Sequence, residues 1–200
     1  MSKLKLNIVI VGAGNVAWHL AKELQKKEQK IIQVYNRSVE PAISLSQRLK
    51  CDFTTRIEDI NENADLYILT VKDSVIEEVS ELIKIKNKLI VSAVKGVVPE
   101  SLQIVGHYLN ESWQVPYEQI AVIAGPSHAE EIGMEKLSYL TIACQDQHSA
   151  AYIASLFKTS YVRTKISNDI FGTEYAAMLK NIYAIAAGIA HGLNYGDNFQ

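Results

Sequence analysis

The sequence predicts an α/β fold in which helices cover both faces of a mostly parallel sheet, and three observations carry that expectation. Apolar runs of strand length alternate with amphipathic helical stretches up to residue 168, as in a parallel sheet buried on both sides. A G-x-G-x-x-A string stands directly between the first apolar run and the first helical stretch. From Asp169 the alternation gives way to one long stretch rich in Ala, Ile and Gly.

Taken in order, residues 6–11 form a nearly unbroken apolar run and predict the first strand. Residues 15–27 follow as a helix, with Val16, Leu20, Ala21 and Leu24 at the spacing of one face. Residues 31–35 read as the second strand and 41–49 as a helix, with Pro41 suited to a first turn. A short third strand fits 51–54, and a stronger one fits 66–71. Ser74 opens a helix with Val75, Val79, Leu82 and Ile83 inward. Residues 89–94 are a buried strand, and 99–109 read as a helix. Strands at 120–124 and 140–144, a helix at 149–157 and a short strand at 161–164 complete the alternation.

Residues 171–193 then read as a single helix in which 184–190 has almost no polar face. Such a helix must be buried nearly all round. The expected organisation is a dinucleotide-type domain over 1–168, followed at 169–200 by the truncated beginning of a helical substrate domain. A homodimer through the last helix is the other expected way to cover that face.

Bulk properties exclude several classes. The chain has 200 residues, 48% of them hydrophobic, and a formal net charge of −2. No global charge pulls it toward nucleic acid or anionic lipid, and no apolar run reaches the length of a membrane span. Residues 1–6 lack the apolar core and cleavage site of a signal peptide. Two cysteines, Cys51 and Cys144, fall in strand-like segments and are expected reduced. The expected compartment is the cytoplasm.

The string Gly12-Ala13-Gly14-Asn15-Val16-Ala17 carries the first functional expectation. In a strand–turn–helix context Gly12 allows the tight turn, Gly14 lets the backbone approach a pyrophosphate, and Ala17 permits close helix–strand packing. The following helix offers its N–H groups and positive end to the phosphates. This is the pattern of a doubly wound, mostly parallel Rossmann sheet, with Gly12, Gly14, Asn15 and Val16 as cofactor-binding candidates. At the end of the second strand stand Asn36, Arg37 and Ser38, with no acid before Glu40. Arg37 suits a 2′-phosphate and Ser38 could donate to it, so NADP is preferred over NAD. An ordinary solvated arginine in a turn is the alternative.

Three further strings are specific: Val91-Ser92-Ala93-Val94-Lys95-Gly96, Ala124-Gly125-Pro126-Ser127-His128-Ala129-Glu130-Glu131, and Glu174-Tyr175-Ala176-Ala177-Met178-Leu179-Lys180-Asn181, with Tyr195-Gly196-Asp197-Asn198 beyond. From about residue 88 to 200 the chain strongly resembles the bacterial NAD(P)-dependent glycerol-3-phosphate dehydrogenases. That resemblance implies reversible hydride transfer between the nicotinamide and C2 of dihydroxyacetone phosphate or sn-glycerol 3-phosphate. It implies Lys180 as catalytic lysine, and Lys95 near both nicotinamide and substrate. It further implies Gly125 and Ser127 in substrate contact, and Ala129 in a backbone contact with the cofactor. A lysine acting as base needs burial or a neighbouring cation to lower its pKa, and Lys95, at the carboxyl end of a strand, is the candidate neighbour of Lys180. His128 is less favoured for the proton than Lys180. No His, Cys, Asp or Glu cluster has metal-ligand spacing, so no metal is expected.

Residues 6–87 depart from that family. Asn15-Val16 stands where it has Ser-Trp, and its Asn-Pro-x-Tyr-Leu-type segment is missing. Gly14-Asn15-Val16-Ala17, Tyr35-Asn36-Arg37-Ser38 and Ala64-Asp65-Leu66-Tyr67-Ile68 look more like small Rossmann proteins related to pyrroline-carboxylate reductase. The chain therefore reads like two related sequences joined near residue 88. Two other functions stay open beside the dehydrogenase: a cofactor-binding module without turnover, and a reductase acting on an imine.

Overall fold

The computed structural model describes residues 5–80, 88–125 and 129–196. The elements are β1 (Asn7–Val11), α1 (Asn15–Lys26), β2 (Lys30–Tyr35), α2 (Val39–Leu49), β3 (Asp52–Thr54), β4 (Leu66–Leu69), α3 (Ile76–Ser80) and β5 (Leu89–Ser92). They continue as α4 (Val105–Trp113), β6 (Ile120–Ala124), α5 (Ala129–Gly133), β7 (Ser138–Cys144), α6 (Gln147–Phe157), β8 (Val162–Ser167) and α7 (Ile170–Gly192). The strands form one 8-stranded sheet of order β3-β2-β1-β4-β5-β6-β7-β8. Every neighbouring pair is parallel except β6 with β7.

The period of two along the strands explains why they are apolar throughout. Ile8 and Ile10 of β1, with Leu66 and Ile68 of β4, join one core with Leu20 and Leu24 of α1 and Ile153 and Phe157 of α6. Val9 and Val11, with Tyr67 and Leu69, face the other core, where Ile76 and Val79 of α3 and Val105 and Leu109 of α4 close the sheet. Adjacent residues of one strand thus serve opposite cores.

Several expectations are corrected. The segment expected as a helix over 99–109 is a loop up to α4: Val97 bridges Ile104, Val98 N–H donates to Gln103 O at 2.8 Å, and Leu102 carries φ +55°. Val98 and Ile104 are buried while Leu102 is 73% exposed. Loop pairing therefore overrides the helical spacing of Leu102 with Val105 and Leu109. α6 begins two residues earlier than expected, because the Asp146 carboxylate accepts from Ser149 N–H and His148 N–H. β8 runs on to Ser167 because β7 offers it a parallel edge as far as Ala143, and α5 was not expected at all. Of the inward set expected after Ser74, Val79 is buried and Val75 half-buried; Leu82 and Ile83 lie outside the described residues.

α7 is not buried all round. Beyond Leu179 only Ala187 and Ala190 of this helix escape full exposure, and Ile185 is 66% exposed. The helix packs on β6, β7 and α4 through its first turns, with Ile170 buried against Val122 and Ala143. The two cysteines are free, Cys144 buried at the end of β7 and Cys51 half-buried just before β3. Burial pushes the Cys51 thiol to about 11 and raises that of Cys144, which makes both poor nucleophiles. Among the described residues no helix is long and apolar enough to cross a membrane, and no group of three or more His, Cys, Asp or Glu is gathered as metal ligands.

Candidate functional site

At the carboxyl end of β1 the chain turns sharply. Gly12 has φ +113°, and its N–H donates to Tyr35 O at 2.8 Å, tying the turn to the end of β2. On the β4 side, Thr70 N–H and its hydroxyl both donate to Val11 O, at 2.8 and 2.9 Å. A Cβ on Gly12 would stand 2.6 Å from Thr70 Oγ1, so both the torsion and the close approach require glycine. Gly14 is the N-cap of α1 and provides no side-chain cap, and the first turn of α1 holds no acid. A Cβ on Gly14 would meet nothing within 4 Å, so the helix start opens on free space, while Ala17 is fully buried beneath it. Asn15 and Val16 are exposed on the same first turn. A positive helix end, a glycine without a cap and open room in front of it suit a pyrophosphate.

The end of β2 lies beside this turn. Asn36 N–H donates to Thr54 O at 3.2 Å and its amide to Ser38 O at 2.9 Å, which shapes the loop into α2. Ser38 is the N-cap of α2, with no side-chain bond of its own. Arg37 Nη1 is 3.1 Å from Glu78 Oε2 on α3, both side chains exposed. Such a surface pair contributes at most about 1 kcal/mol, so a phosphate can displace the glutamate.

The second cluster lies further along the same edge. A cleft of about 470 Å³ is lined by Lys95 from the loop after β5, Gly125 after β6, Thr141 of β7, Lys165 of β8, Asp169 before α7, and Lys180 of α7. A smaller cavity of about 60 Å³ shares Lys95 and Gly125 with it and reaches Val16 and His19 of α1. The glycine turn and the lysine cleft are thereby neighbours through Lys95. Gly96 takes φ +115° with the Asp73 carboxylate where a Cβ would stand, and Gly125, at φ +144°, abuts the Tyr139 carbonyl in the same way. Both chain reversals at the cleft therefore need glycine.

Electrostatics mark Lys95. Desolvation by burial lowers its pKa first, and repulsion from Lys180 lowers it further.

Sequence reasoning passed over several lining residues. Lys165 and Ser167 reach the cleft from alternate positions of β8, so they share a face; a polar alternation running to a strand's carboxyl end was the available signal. Asp169 caps α7 by accepting Gly172 N–H at 2.7 Å. Glu174 is buried, and desolvation raises its carboxyl to about 7. An acid inside an apolar helical stretch was its only trace in the sequence. Of the expected site residues, Lys95, Gly125 and Lys180 meet in one cleft, and Gly12, Gly14, Asn15, Val16, Asn36, Arg37 and Ser38 gather at the other end. Ala129 opens α5, and Ser127 lies outside the described residues, as does His128.

Comparison with known proteins bears on this arrangement. The family model described as the NAD-dependent glycerol-3-phosphate dehydrogenase N-terminus matches residues 7–150, and the one described as the C-terminus matches residues 169–200. The N-terminal match extends across residue 88, where the sequence strings change their resemblance. A protein of Fusobacterium nucleatum subsp. nucleatum named glycerol-3-phosphate dehydrogenase (NAD(P)+) is 34% identical over 178 residues, 86% of this chain and 52% of the relative. The chain thus spans about half the length of the curated relatives it matches. Among solved structures, a glycerol-3-phosphate dehydrogenase of Plasmodium falciparum superposes with a TM-score of 0.80 at 22% identity, over 97% of this chain and 61% of the other. A pyrroline-5-carboxylate reductase of Coxiella burnetii gives 0.63 at 19% identity, over 98% and 74%. At these identities both show the shared fold alone.

Proposed function

The chain belongs to the NAD-dependent glycerol-3-phosphate dehydrogenase family, and on that premise we propose that it serves the reversible reduction of dihydroxyacetone phosphate to sn-glycerol 3-phosphate with NADP, or NAD, as cofactor. One observation carries the reading: two lysines, from a strand end and from α7, face one cleft at the carboxyl edge of a doubly wound sheet.

Gly12, Gly14, Asn15 and Val16 would hold the cofactor's phosphates, Asn36, Arg37 and Ser38 its adenosine end, and Lys95 with the Ala129 backbone its nicotinamide end. When bound, the nicotinamide supplies or takes the hydride. The chain's own residues bind the phosphorylated substrate and manage one proton. Two ammonium groups on one small cleft attract an anionic phosphate ester and favour negative charge growing on the C2 oxygen. Lys180 donates the proton to that oxygen in reduction and removes it in oxidation. Lys95, whose lowered pKa leaves its ammonium readier to release a proton, shares the acid–base work and binds substrate. Gly125 and Ser127 complete the substrate contacts. Residues 1–168 act as the dinucleotide domain, and 169–200 begin the helical substrate domain. The exposed apolar flank of α7 supports pairing with a second copy, which sedimentation checks: a clean monomer refutes it.

The test is NADPH oxidation by this chain with dihydroxyacetone phosphate, beside Lys180→Ala. Turnover that Lys180→Ala abolishes supports the reading, and equal turnover sinks the lysine assignment. NADPH binding with no substrate-dependent rate leaves the cofactor-binding module. A rate with pyrroline-5-carboxylate alone points to imine reduction.

A further inference from the structure

α7 is moored to the sheet domain by a buried acid. Glu174 is 5% exposed, and both carboxylate oxygens accept the Gly106 N–H, at 2.9 and 3.2 Å; the Val105 N–H also bonds to it. Val105 and Gly106 are the first two residues of α4, whose N-cap, Ile104, has no side chain that can accept. A carboxylate from another helix therefore caps α4, where N–H groups and the positive end of the dipole would otherwise be buried without a partner. The approach depends on Gly106. A Cβ there would stand 2.8 Å from Glu174 Oε2 and 2.9 Å from Ile170 Cγ2. Phe171 adds ring contacts to Tyr117 and His107, with centroids 5.5 and 6.2 Å away.

The mooring point lies close to the lysines. Glu174 and Lys95 line one small cavity with Ala177, one helical turn along α7. Ala177 also lines the main cleft with Lys180. Lys180 is six residues beyond Glu174, about 9 Å along a rigid helix.

We propose that Glu174 is a positioning residue: by capping α4 at Gly106 it holds α7 in the register that sets Lys180 against Lys95. The functional weight of this rests on reading the two lysines as the reacting pair. The titrating groups that face Glu174 are Lys95 across the small cavity, Tyr117, whose phenol it helps to raise, and His107 of α4, which shares a 2.8 Å hydrogen bond with Tyr117.

The test reads Lys95 directly, without turnover, by following its NMR signal in the ¹³C-methylated 200-residue chain through a pH titration. In the unmutated chain Lys95 titrates below the ordinary 10.5, and Lys180→Met marks how far it rises once the neighbouring cation is gone. Gly106→Ala favours α4 as a helix but crowds Glu174 and Ile170, so it is expected to raise the Lys95 midpoint toward the Lys180→Met value. Glu174→Ala is expected to do the same, and Glu174→Gln, which keeps an acceptor oxygen, to restore most of the original midpoint. A folded Gly106→Ala chain with Lys95 unmoved overturns the proposal, as does Glu174→Gln titrating like Lys180→Met, or Lys180→Met leaving Lys95 where it was. Should Glu174→Ala fail to fold, the other two variants decide. Failure of the lysine assignment would show separately, as equal turnover by Lys180→Ala.

Discussion

The glycine turn and the lysine cleft occupy one edge of one sheet, yet they are held by different means. Gly12 is set by its backbone: a positive φ, an N–H bonded to Tyr35 O and a close approach to Thr70, with Gly14 following as the bare N-cap of α1. Lys95 and Lys180 come from elements 85 positions apart in the chain and face each other only because α7 is seated on α4 and β6. The first site is a local conformation and the second is an assembly. Perturbations should therefore separate them.

The largest expected effect is on the assembly. Lys180→Ala should lower kcat/KM for dihydroxyacetone phosphate by about 10²–10⁴-fold, the usual range for a lost proton-transfer group, while NADPH binding to the glycine turn stays intact. Steady-state kinetics and a fluorescence titration of NADPH on one preparation check this. Loss of both together would mean that the two sites are not separable.

Next comes pH. The Glu174 carboxyl is raised from 4.5 to about 7 in the folded chain, so the native state binds the proton more tightly than the unfolded one. Its contribution to stability is complete below pH 4.5 and is lost as pH rises through about 7, amounting to no more than about 3 kcal/mol. Urea unfolding at both ends of that window should show the original chain losing more stability than Glu174→Gln. Parallel pH curves would remove the carboxyl from the account.

Gly12→Ala breaks the local site instead. It forces an L side chain to φ +113° against Thr70 and should cost about 1–3 kcal/mol together with NADPH binding. The Lys95 titration should stay in place, and a displaced one would show the cleft to depend on the turn. The smallest effect concerns cofactor choice. Glu78→Gln releases Arg37 from its 3.1 Å pair and should tighten NADPH by up to about 1 kcal/mol, with NADH unaffected. Equal changes for both would show that Arg37 does not read the 2′-phosphate.

Legibility in the sequence follows the same division. The strands and the G-x-G-x-x-A turn could be read because each is set by adjacent residues with a period of two or a fixed spacing. The helix expected over 99–109 failed because the pairing of Val97 with Ile104 depends on where the two backbones meet, which side-chain spacing does not encode. The Asp146 cap was legible in principle, as an acid just before a helical run, and was passed over. The part of Glu174 was not legible: an acid in an apolar helix reads as solvated until α4 brings the Gly106 N–H to it.

By itself the sequence determined that this is a doubly wound α/β domain with a G-x-G-x-x-A turn after its first strand, and that Lys95, Gly125 and Lys180 stand in strings of one enzyme family. Alternating burial and the torsional freedom of glycine are properties of neighbouring residues, so they survive in a linear reading. The tertiary structure alone decided that the pKa of Lys95 is lowered, and that beyond Glu174 only Ala190 of α7 is buried. Desolvation and charge repulsion depend on distance through space, and only the packed sheet and helices set those distances.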